Sequence, residues 1–494
     1  MSAAQKFDVI VVGGGPAGSV MAWALASKGV RVAVLERSRF PREKVCGDFV
    51  EPAGLRILDR MGCLETPAAS PPITDARVFV GPRQVYRGAV PYYEGGHGLA
   101  THGYIVPRDV LDTGLLERAE AAGATVLQAC EVTAVARENG KTTLTAGRRE
   151  AAAAYAAPLV IGADGAESIV ARSFGQRHID RRYIAVSQRA YVEGVSGAEG
   201  EATIWFDDDI FPGYGWMFPM GGGRANVGVG ILSETCHRHG VSATKAFAAC
   251  IQKLRFRHPA CAEVRVASRP LGGVVKTYGG AGANHFDGGV LIGDAGSFAD
   301  PLTGEGITQG MESALIAAPV VLAALDTGRF DAAFLARFER DFRQHFDPTM
   351  RFLDLWAAVT RNWHLREFWL RATALGFDEA VRDPQFGRVS GAAFGGLNVR
   401  PAAVIEQVWS RIFAYLGRDG PKAFFDLASG RARGGLAGDL LAWERGWSRS
   451  IAQDPRWHLA WMADVAVKWA TIQPTLWGAA PSPRLDGPPA AAFG

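Results

Sequence analysis

The hydrophobic pattern near the N-terminus changes from strand-like to helix-like and back. Residues 7–12 form a short run rich in β-branched side chains, which is typical of a buried parallel strand. The alanine- and leucine-rich residues 19–28 predict a helix that ends at Gly29, and residues 30–35 predict a second strand. Strand, helix and strand in this order predict an α/β fold of the Rossmann type.

The turn between the first strand and the helix has the spacing GxGxxG. Gly13 permits a tight turn, Gly15 lets a pyrophosphate approach the helix N-terminus, and Gly18 allows close packing of helix on strand. Glu36, at the end of the second strand, can bind a ribose hydroxyl. A glycine-rich turn alone is weak evidence, but both strands and the acid are present. We therefore predict a dinucleotide site formed by Gly13, Gly15, Pro16, Ala17, Gly18, Glu36 and Arg37.

Two later segments, residues 159–165 and 289–296, are apolar strands that end in turns of small residues. Each turn carries an aspartate, Asp164 or Asp294, at the carboxyl end of its strand, where ligands bind in open α/β sheets. The second turn leads into an apolar helix predicted from Ile307 onward, whose N-terminus favours an anionic group. The alternative role for either aspartate is a helix cap.

An aromatic segment with a two-residue period lies in the middle of the chain. Residues 213–219 place Tyr214, Trp216 and Phe218 on one face of a predicted strand. Such a face suits the wall of an apolar tunnel for a prenyl or polyketide chain, and an ordinary core face is the alternative. Residues 71–103 and 176–275 mix strand-like runs with turns and predict one antiparallel sheet over the ligand, formed from two insertions.

From residue 330 onward the period becomes helical. Phe352, Leu355, Trp356 and Val359 follow the spacing of an amphipathic helix. Ten of the thirteen tryptophans lie beyond residue 346. This C-terminal helical extension could cover a large apolar substrate, mediate dimerisation or contact a membrane surface. The simplest interpretation is that the tryptophans fill the core of a helical cap.

The composition of the chain argues against several classes of function. The chain has 53 basic and 50 acidic residues, and this balance argues against a nucleic-acid partner. Six cysteines without a CxxC pair indicate neither a zinc site nor a disulfide framework. His237 and His239 lack an evident third ligand, so we expect a polar loop there and no metal site. No signal peptide is evident and the apolar run 314–325 is too short to span a bilayer, so we expect a cytoplasmic protein, at most membrane-peripheral.

The order of these motifs resembles the FAD-dependent oxidoreductases of the p-hydroxybenzoate hydroxylase-like superfamily. Three patterns resemble its geranylgeranyl reductase family more closely than the aromatic hydroxylases: PREKVCGD at 41–48, YxWxFP…GxG at 214–230, and DPLTGEGI at 300–307. Hydroxylases usually carry a histidine where Gly296 stands. The resemblance covers about residues 5–345.

The resemblance implies FAD as the cofactor and an apolar small-molecule substrate. It adds further flavin-binding residues: Cys46, Gly47, Arg108, Asp164, Gly165, Asp294, Pro301, Gly304, Gly306 and Ile307. It also implies substrate contacts from Tyr214, Trp216, Phe218, Pro219, Gly228 and Gly230. Because one dinucleotide motif is evident, we expect NAD(P)H to act as a transient reductant.

Cys46 is the catalytic candidate that the resemblance places near the reacting edge of the flavin. There its thiol could donate or relay a proton, or touch the substrate, whereas a buried inert cysteine is the default. Arg42 and Lys44 would lower the pKa of the thiol if they face it.

The predicted domains are a discontinuous FAD-binding domain (1–70, 104–175 and 276–345), a substrate-binding sheet domain (71–103 and 176–275), a helical domain (346–478) and a flexible tail (479–494). The leading functional hypothesis is an FAD-dependent reductase or dehydrogenase acting on a carbon–carbon bond of an isoprenoid- or polyketide-like substrate. The alternatives are a flavin monooxygenase of specialised metabolism and a non-catalytic prenyl binder. Contact with a carrier protein and the oligomeric state stay open.

Overall fold

The computed structural model describes residues 4–65, 70–90, 100–147, 152–176, 180–388, 401–431 and 434–477. The tail predicted at 479–494 lies outside the described residues. The remaining chain is a mixed α/β protein, which confirms the predicted fold class.

A six-stranded sheet forms the centre of the flavin-binding part. Its strands are parallel except for the outermost pair, and its first strand, Val9–Val12, is fully buried on both faces. The second strand begins at Val32, two residues later than predicted. The strand order is His285–Phe286, Gly289–Leu291, Leu159–Gly162, Val9–Val12, Val32–Leu35 and Thr125–Leu127.

The helices are numbered in chain order. They are α1 (Pro16–Ala26), α2 (Pro52–Arg60), α3 (Arg108–Ala121), α4 (Ile169–Ser173), α5 (Ser233–His239), α6 (Ala243–Arg257), α7 (Ile307–Thr327), α8 (Ala332–Thr360), α9 (Arg366–Arg382), α10 (Pro401–Ala428), α11 (Gly435–Gln453) and α12 (Pro455–Trp477). Short 3₁₀ turns occur at Arg181–Tyr183, Pro259–Cys261, Gly293–Gly296 and Trp363–Leu365. His237 and His239 lie on α5, which ends at left-handed Gly240, and not in the predicted polar loop.

Helix α7 is a core element of the flavin-binding part. It packs against α1, α2 and α8. By length and composition it could cross a membrane, but 67% of its most apolar window is buried inside the fold. The apolar run 314–325 therefore belongs to the helix predicted from Ile307, which ends at Thr327, and the burial of that helix explains its hydrophobicity.

Two small sheets complete the flavin-binding part. One contains Gln5–Lys6, Ala153–Ala157, Lys141–Ala146 and Val132–Glu138 in that order. The other contains Phe49–Val50, Gly103–Ile105 and Pro72–Ile73 in that order.

The substrate domain is a single eight-stranded sheet that combines both insertions. Its order is Arg265–Val266, Ile184–Glu193, Arg224–Leu232, Tyr214–Gly221, Glu201–Phe206, Asp75–Val80 and Arg83–Ala89, and Leu271–Lys276 also pairs with Ile184–Glu193. The sheet is not wholly antiparallel as predicted, because Glu201–Phe206 pairs in parallel with Asp75–Val80. Hairpins impose antiparallel pairing, but these two strands are joined by a long path through the flavin-binding part.

The helical extension does not begin at residue 346. Helix α8 runs without interruption from Ala332 to Thr360, so the predicted domain boundary falls inside it. Helices α9 to α12 follow; α10 and α12 pack against α8, and α11 packs against α9. The Trp461 indole nitrogen donates to the Ala358 carbonyl oxygen over 2.8 Å, and Arg361 joins Glu234 to Asp464.

Candidate active site

A cavity of about 1450 Å³ lies where the flavin-binding part, the substrate sheet and the helical extension meet. Its lining comes from the carboxyl ends of the central strands, the inner face of the eight-stranded sheet and helices α8 to α12. Small-molecule pockets usually measure about 300–1,000 Å³. The cavity is therefore large enough for a cofactor and a substrate together.

The backbone of the glycine-rich turn lies at one end of this cavity. Gly13 has φ +99°, and a Cβ there would lie 2.5 Å from the Ala163 carbonyl oxygen. A Cβ on Gly18 would lie 1.9 Å from the Gly13 oxygen, so this glycine allows α1 to pack closely without lining the cavity itself. Gly15, Pro16 and Ala17 do line it, and no side chain caps α1. This arrangement fits a pyrophosphate.

Glu36 holds the turn while facing the same end of the cavity. Its Oε2 accepts from the Gly14 backbone N–H and its Oε1 from that of Ser38, each over 2.8 Å. A carboxylate oxygen accepts more than one hydrogen bond, so the group can also bind a ribose hydroxyl. Arg37 lines the cavity beside it.

The two aspartates predicted from similar strand ends have different environments. Asp164 accepts from Ser168 Oγ and the Ile169 backbone N–H, both over 2.6 Å, and so supports Ser168, the N-cap of α4. Gly165 follows it with φ +78° on the cavity wall. Within the described residues no group hydrogen-bonds the Asp294 carboxylate, which burial gives a raised pKa. Asp294 is thus the aspartate with capacity left for ligand hydroxyls.

The loop before α7 forms the next part of the cradle. Pro301, Gly304, Gly306 and Ile307 line the cavity, and no side chain caps α7. A Cβ on Gly306 would lie 3.2 Å from an Asp294 carboxylate oxygen, so this glycine keeps the backbone open beside Asp294. The uncapped N-terminus of α7 favours negative charge on a ligand. Two uncapped helix ends, Glu36 and the unbonded Asp294 together fit FAD.

Arg108 lies in a buried ion network under the cavity. Its guanidinium donates to both oxygens of Asp112 at 2.7 and 2.8 Å, and Asp112 also pairs with Arg42 at 2.9 Å. Arg108 lines the cavity and lies within hydrogen-bonding reach of Cys46. Arg42 is thus bound to Asp112, and Arg108 is the cation that contacts the thiol.

Cys46 and Gly47 lie on the cavity wall. Burial raises the pKa of the Cys46 thiol, and Arg108 only partly offsets this effect. Lys44 also interacts electrostatically with the thiol, but the net effect on the thiol pKa is a rise. Burial lowers the pKa of Lys44, and the charge of Asp294 partly offsets this effect. Cys46 is a protonated thiol at neutral pH.

The strand Tyr214–Gly221 lines the cavity with the three aromatic side chains that its period predicts. The ring centroids of Tyr214 and Trp216 are 6.0 Å apart, and those of Trp216 and Phe218 are 6.2 Å apart. Gly230 also lines the cavity, but Pro219 and Gly228 are not among its described lining residues. A Cβ on Gly228 would lie 2.2 Å from the Trp216 ring, so Gly228 supports the indole from behind.

Asn226 is a site residue that the sequence pattern did not indicate. It is fully buried, accepts from the Trp216 indole N–H over 3.0 Å and donates to the Cys46 carbonyl oxygen over 2.9 Å. It also donates to Asp48, which accepts from the Tyr191 hydroxyl over 2.8 Å. The feature of the sequence that could have indicated Asn226 is a single amide side chain within an apolar strand. This network joins the aromatic strand to the Cys46 segment.

Two buried glutamates were also missed. Glu51 and Glu305 both line the cavity and lie within hydrogen-bonding reach of each other, a contact that two carboxyl groups can share only when one carries a proton. Burial raises the pKa of Glu51 well above its ordinary value, and the negative charges of Glu305 and other neighbouring acids raise it further. Gln309 donates to Glu305 over 2.8 Å. The pair holds a proton at the cavity wall.

A further acid acts on this pair. Glu312 interacts electrostatically with both glutamates. His345 Nε2 lies 3.4 Å from a Glu312 carboxylate oxygen, and both side chains are partly exposed.

Comparison with known proteins agrees with this geometry. The FAD binding domain family model matches residues 6–352. The chain is 32% identical over 354 residues to a menaquinone reductase of Mycobacterium tuberculosis, covering 69% of this chain and 83% of the relative. It is 31% identical over 370 residues to digeranylgeranylglycerophospholipid reductase 2 of Methanopyrus kandleri, covering 70% and 85%.

Solved structures share the fold. A geranylgeranyl bacteriochlorophyll reductase-like protein of Thermoplasma acidophilum superposes with a TM-score of 0.65 at 23% identity, covering 83% of this chain and 100% of that chain. The flavin-dependent halogenase CmlS gives 0.61 at 22% identity, covering 85% and 79%. At such identities these likenesses concern the fold alone. The predicted cofactor, FAD, is confirmed by the family match. The chain belongs to the FAD binding domain family and is a geranylgeranyl reductase-like FAD-dependent oxidoreductase.

Proposed function

We propose that this oxidoreductase reduces a carbon–carbon double bond in an isoprenoid-like apolar substrate. The observation that carries this proposal is the aromatic strand, whose three rings line the same cavity as the flavin cradle. The relatives named for menaquinone and for a digeranylgeranyl lipid support a substrate of this class. When bound, FAD supplies hydride chemistry.

Reduction of a double bond needs a proton as well as a hydride. The Glu51 and Glu305 pair keeps a proton on a carboxyl oxygen at the cavity wall. Cys46 offers a second protonated group there, on its Sγ. The pair is the better candidate, because its two carboxyl groups lie within hydrogen-bonding reach and share a proton, whereas Cys46 is a single thiol whose pKa burial raises. We assign the proton to the glutamate pair and a substrate-contacting role to Cys46.

NAD(P)H is the proposed reductant. The described residues contain one turn with the GxGxxG spacing between a parallel strand and a helix, and we assign this turn to FAD. A nicotinamide nucleotide would therefore visit the cavity transiently and leave before the substrate reacts.

A surface patch on the helical extension supports membrane contact. Phe424 and Phe425 on α10 are 76% and 60% exposed, with Arg418 and Lys422 on the same helix. Exposed aromatic rings beside cations favour the interface of an anionic bilayer. We propose that the protein meets its apolar substrate at such a surface.

The alternative function, oxygenation of the substrate, is tested together with the reduction. The purified holoprotein is incubated anaerobically with NADPH or NADH and a menaquinone or geranylgeranyl substrate, and products are analysed by mass spectrometry. We expect a gain of two hydrogens per reduced double bond without oxygen. Turnover that requires oxygen and adds an oxygen atom to the product would overturn the reductase proposal in favour of a monooxygenase.

A further inference from the structure

Helix α9 has an unusual environment for an apolar helix. None of its 17 residues is fully buried. Its side chains Phe368, Trp369, Ala372 and Leu375, together with Gly376, recur every three or four residues and line the cavity. The apolar face of α9 therefore faces the cavity, whereas the apolar face of a core helix would contact other protein side chains.

Three further helices place apolar side chains around the same space. Helix α8 contributes the face that the sequence predicted to be amphipathic. The lining residues beyond α9 are Phe352, Leu355, Trp356, Val359, Val408, Ile412, Leu416, Leu436 and Leu440. We call this part of the cavity, bounded by α8, α9, α10 and α11, the chamber.

The chamber is continuous with the substrate domain. Arg83 of the eight-stranded sheet pairs with Asp378 of α9 at 2.7 Å, and the rings of Tyr86 and Phe377 lie 6.1 Å apart. Tyr86 and Val78 of this sheet line the same cavity as α9. The chamber thus extends the sheet-lined space away from the flavin cradle. Helices α9 to α11 also lie beyond residue 352, where the family match ends.

Polar groups in the chamber are bonded to one another. The Tyr415 hydroxyl donates to Asp439 over 2.9 Å, and Arg411 pairs with Asp383. Asp439 also lies 3.6 Å from Arg371, and Glu379, a further lining residue, pairs with Arg382 at 2.6 Å. Each carboxylate is therefore matched by an arginine, and apart from the uncharged Thr360 and Thr373 the rest of this lining is apolar. Such a lining fits hydrocarbon rather than an anionic group.

The chamber opens to the surface through apolar side chains. Ile412, Leu416, Leu440 and Trp469 line the cavity and are each between 38% and 44% exposed. At four-residue spacing along α10, Ile412 and Leu416 share a face with the exposed Phe424. An apolar chain can therefore enter the chamber without crossing a polar surface.

We propose that the helical extension is a second binding compartment, which holds the distal part of a linear isoprenoid chain whose reacting double bond lies at the aromatic strand. The identity of the reacting end rests on the proposed function. The compartment itself rests on the apolar face of α9 and the opening beside α10. It makes affinity depend on chain length, because each added isoprene unit buries more apolar surface in the chamber.

The test uses a substitution that fills the chamber. A Cβ on Gly376 would meet no atom within 4 Å, so the leucine side chain of Gly376→Leu begins in free space. Gly417→Leu is the matched control, because Gly417 is also in a helix with no atom within 4 Å but does not line the cavity. Equilibrium binding of geraniol and geranylgeraniol to the FAD-loaded protein is followed by tryptophan fluorescence.

We expect the wild type and Gly417→Leu to bind geranylgeraniol at least about tenfold more tightly than geraniol, since each buried methylene adds affinity. Gly376→Leu should lose most of this preference while its affinity for geraniol changes less than about twofold. Equal affinity of the wild type for both alcohols, or an unchanged preference in Gly376→Leu, would overturn the compartment.

A second variant guards against a folding defect. Ala372→Leu fills the same face of α9 one turn away, and its melting temperature is measured with that of Gly376→Leu. If one variant unfolds, the other decides the outcome by the same preference. Because the readout is binding, a preference that survives in the variants refutes the compartment alone. Failure to reduce any double bond refutes the proposed function and leaves the compartment standing.

Discussion

Asn226 Nδ2 donates a hydrogen bond to the main-chain oxygen of Cys46 over 2.9 Å, and Asn226 Oδ1 accepts one from Trp216. A single buried amide thus fixes the distance between the aromatic strand and the Cys46 segment. Substrate held against Trp216 is thereby held against Cys46. This relationship makes the Cys46 side chain testable as a contact for substrate.

We expect Cys46→Ala to lower substrate turnover by about tenfold or more through lost contact and alignment, while NADPH-dependent flavin reduction changes little. Steady-state turnover and stopped-flow flavin absorbance measure the two steps separately. Cys236→Ala is the control, because Cys236 is also half-buried but does not line the cavity. Unchanged turnover in Cys46→Ala would contradict a role for the thiol.

The two aspartates at strand ends should respond differently to substitution. Asp164→Ala removes the acceptor for Ser168 Oγ and for the first N–H groups of α4, and we expect it to lower the free energy of unfolding by about 1 kcal/mol. Asp294→Ala removes a carboxylate that hydrogen-bonds no described group, so we expect weaker FAD binding without loss of apoprotein stability. Urea denaturation of the apoprotein and FAD titration measure these effects. A stability loss confined to Asp294→Ala would contradict the assignment.

The glutamate pair predicts a pH dependence of turnover. Because the pKa of Glu51 is raised, the pair carries its proton at neutral pH and loses it as the pH rises through this raised pKa. Turnover should therefore fall on the alkaline side of the profile. Glu51→Gln cannot ionise, and we expect a rate lower by about 10²-fold with the alkaline decline removed.

The control for this experiment is Glu193→Gln, because Glu193 is an exposed residue of the substrate sheet paired with Arg265. Its profile should match that of the wild type. An alkaline decline that persists in both Glu51→Gln and Glu305→Gln would show that another group supplies the proton.

Asp300 predicts a pH dependence of stability. Burial raises its pKa to about 7, although the backbone N–H groups of Thr303 and Leu302 partly offset this. A raised pKa means that the folded state keeps the proton, so stability is lost as the pH rises from about 4 to above 7. This shift corresponds to a loss on the order of 4 kcal/mol.

Asp300→Asn should remove that loss, because the amide oxygen can still accept from Leu302 and Thr303 without a charge. The measurement compares the change in unfolding free energy between pH 5 and pH 8 in the two proteins. Parallel curves would mean that Asp300 does not titrate in this range.

Membrane contact predicts an effect of the exposed phenylalanines of α10. We expect Phe424→Asp and Phe425→Asp to lower binding to phosphatidylglycerol-containing vesicles by about tenfold, since each removes an apolar anchor and adds a repelled charge. Phe256→Asp is the control, because Phe256 is 92% exposed on α6 of the substrate domain. Equal loss in all three variants, or no vesicle binding by the wild type, would refute the docking patch.

The flavin cradle could be predicted because its chemistry is carried by local backbone geometry. Gly13 and Gly15 act through φ angles and the absence of a side chain, which a short motif reveals. Asn226 and Glu51 could not be predicted in this way, since their partners come from distant segments. Asp164 and Asp294 end similar strands, and only the contacts of Ser168 and Ile169 separate a carboxylate that supports a helix cap from an unbonded one.

The helical extension shows a different limit. The spacing of Phe352, Leu355, Trp356 and Val359 predicted an amphipathic helix, and α8 is that helix. An apolar face that packs on protein and one that lines a cavity have the same period, however. The period therefore could not distinguish a tryptophan-filled core from a compartment.

The parallel pairing of Glu201–Phe206 with Asp75–Val80 has a consequence for biosynthesis. Strand Asp75–Val80 leaves the ribosome long before its partner Glu201–Phe206, and the parallel core strand Leu159–Gly162 is made between them. The hairpin of Asp75–Val80 and Arg83–Ala89 therefore keeps an unpaired edge until Glu201–Phe206 and much of the flavin-binding part have been synthesised. Neither unit can be excised as a contiguous fragment, and a circular permutation that separates the two strands further should slow refolding more than it destabilises the native state.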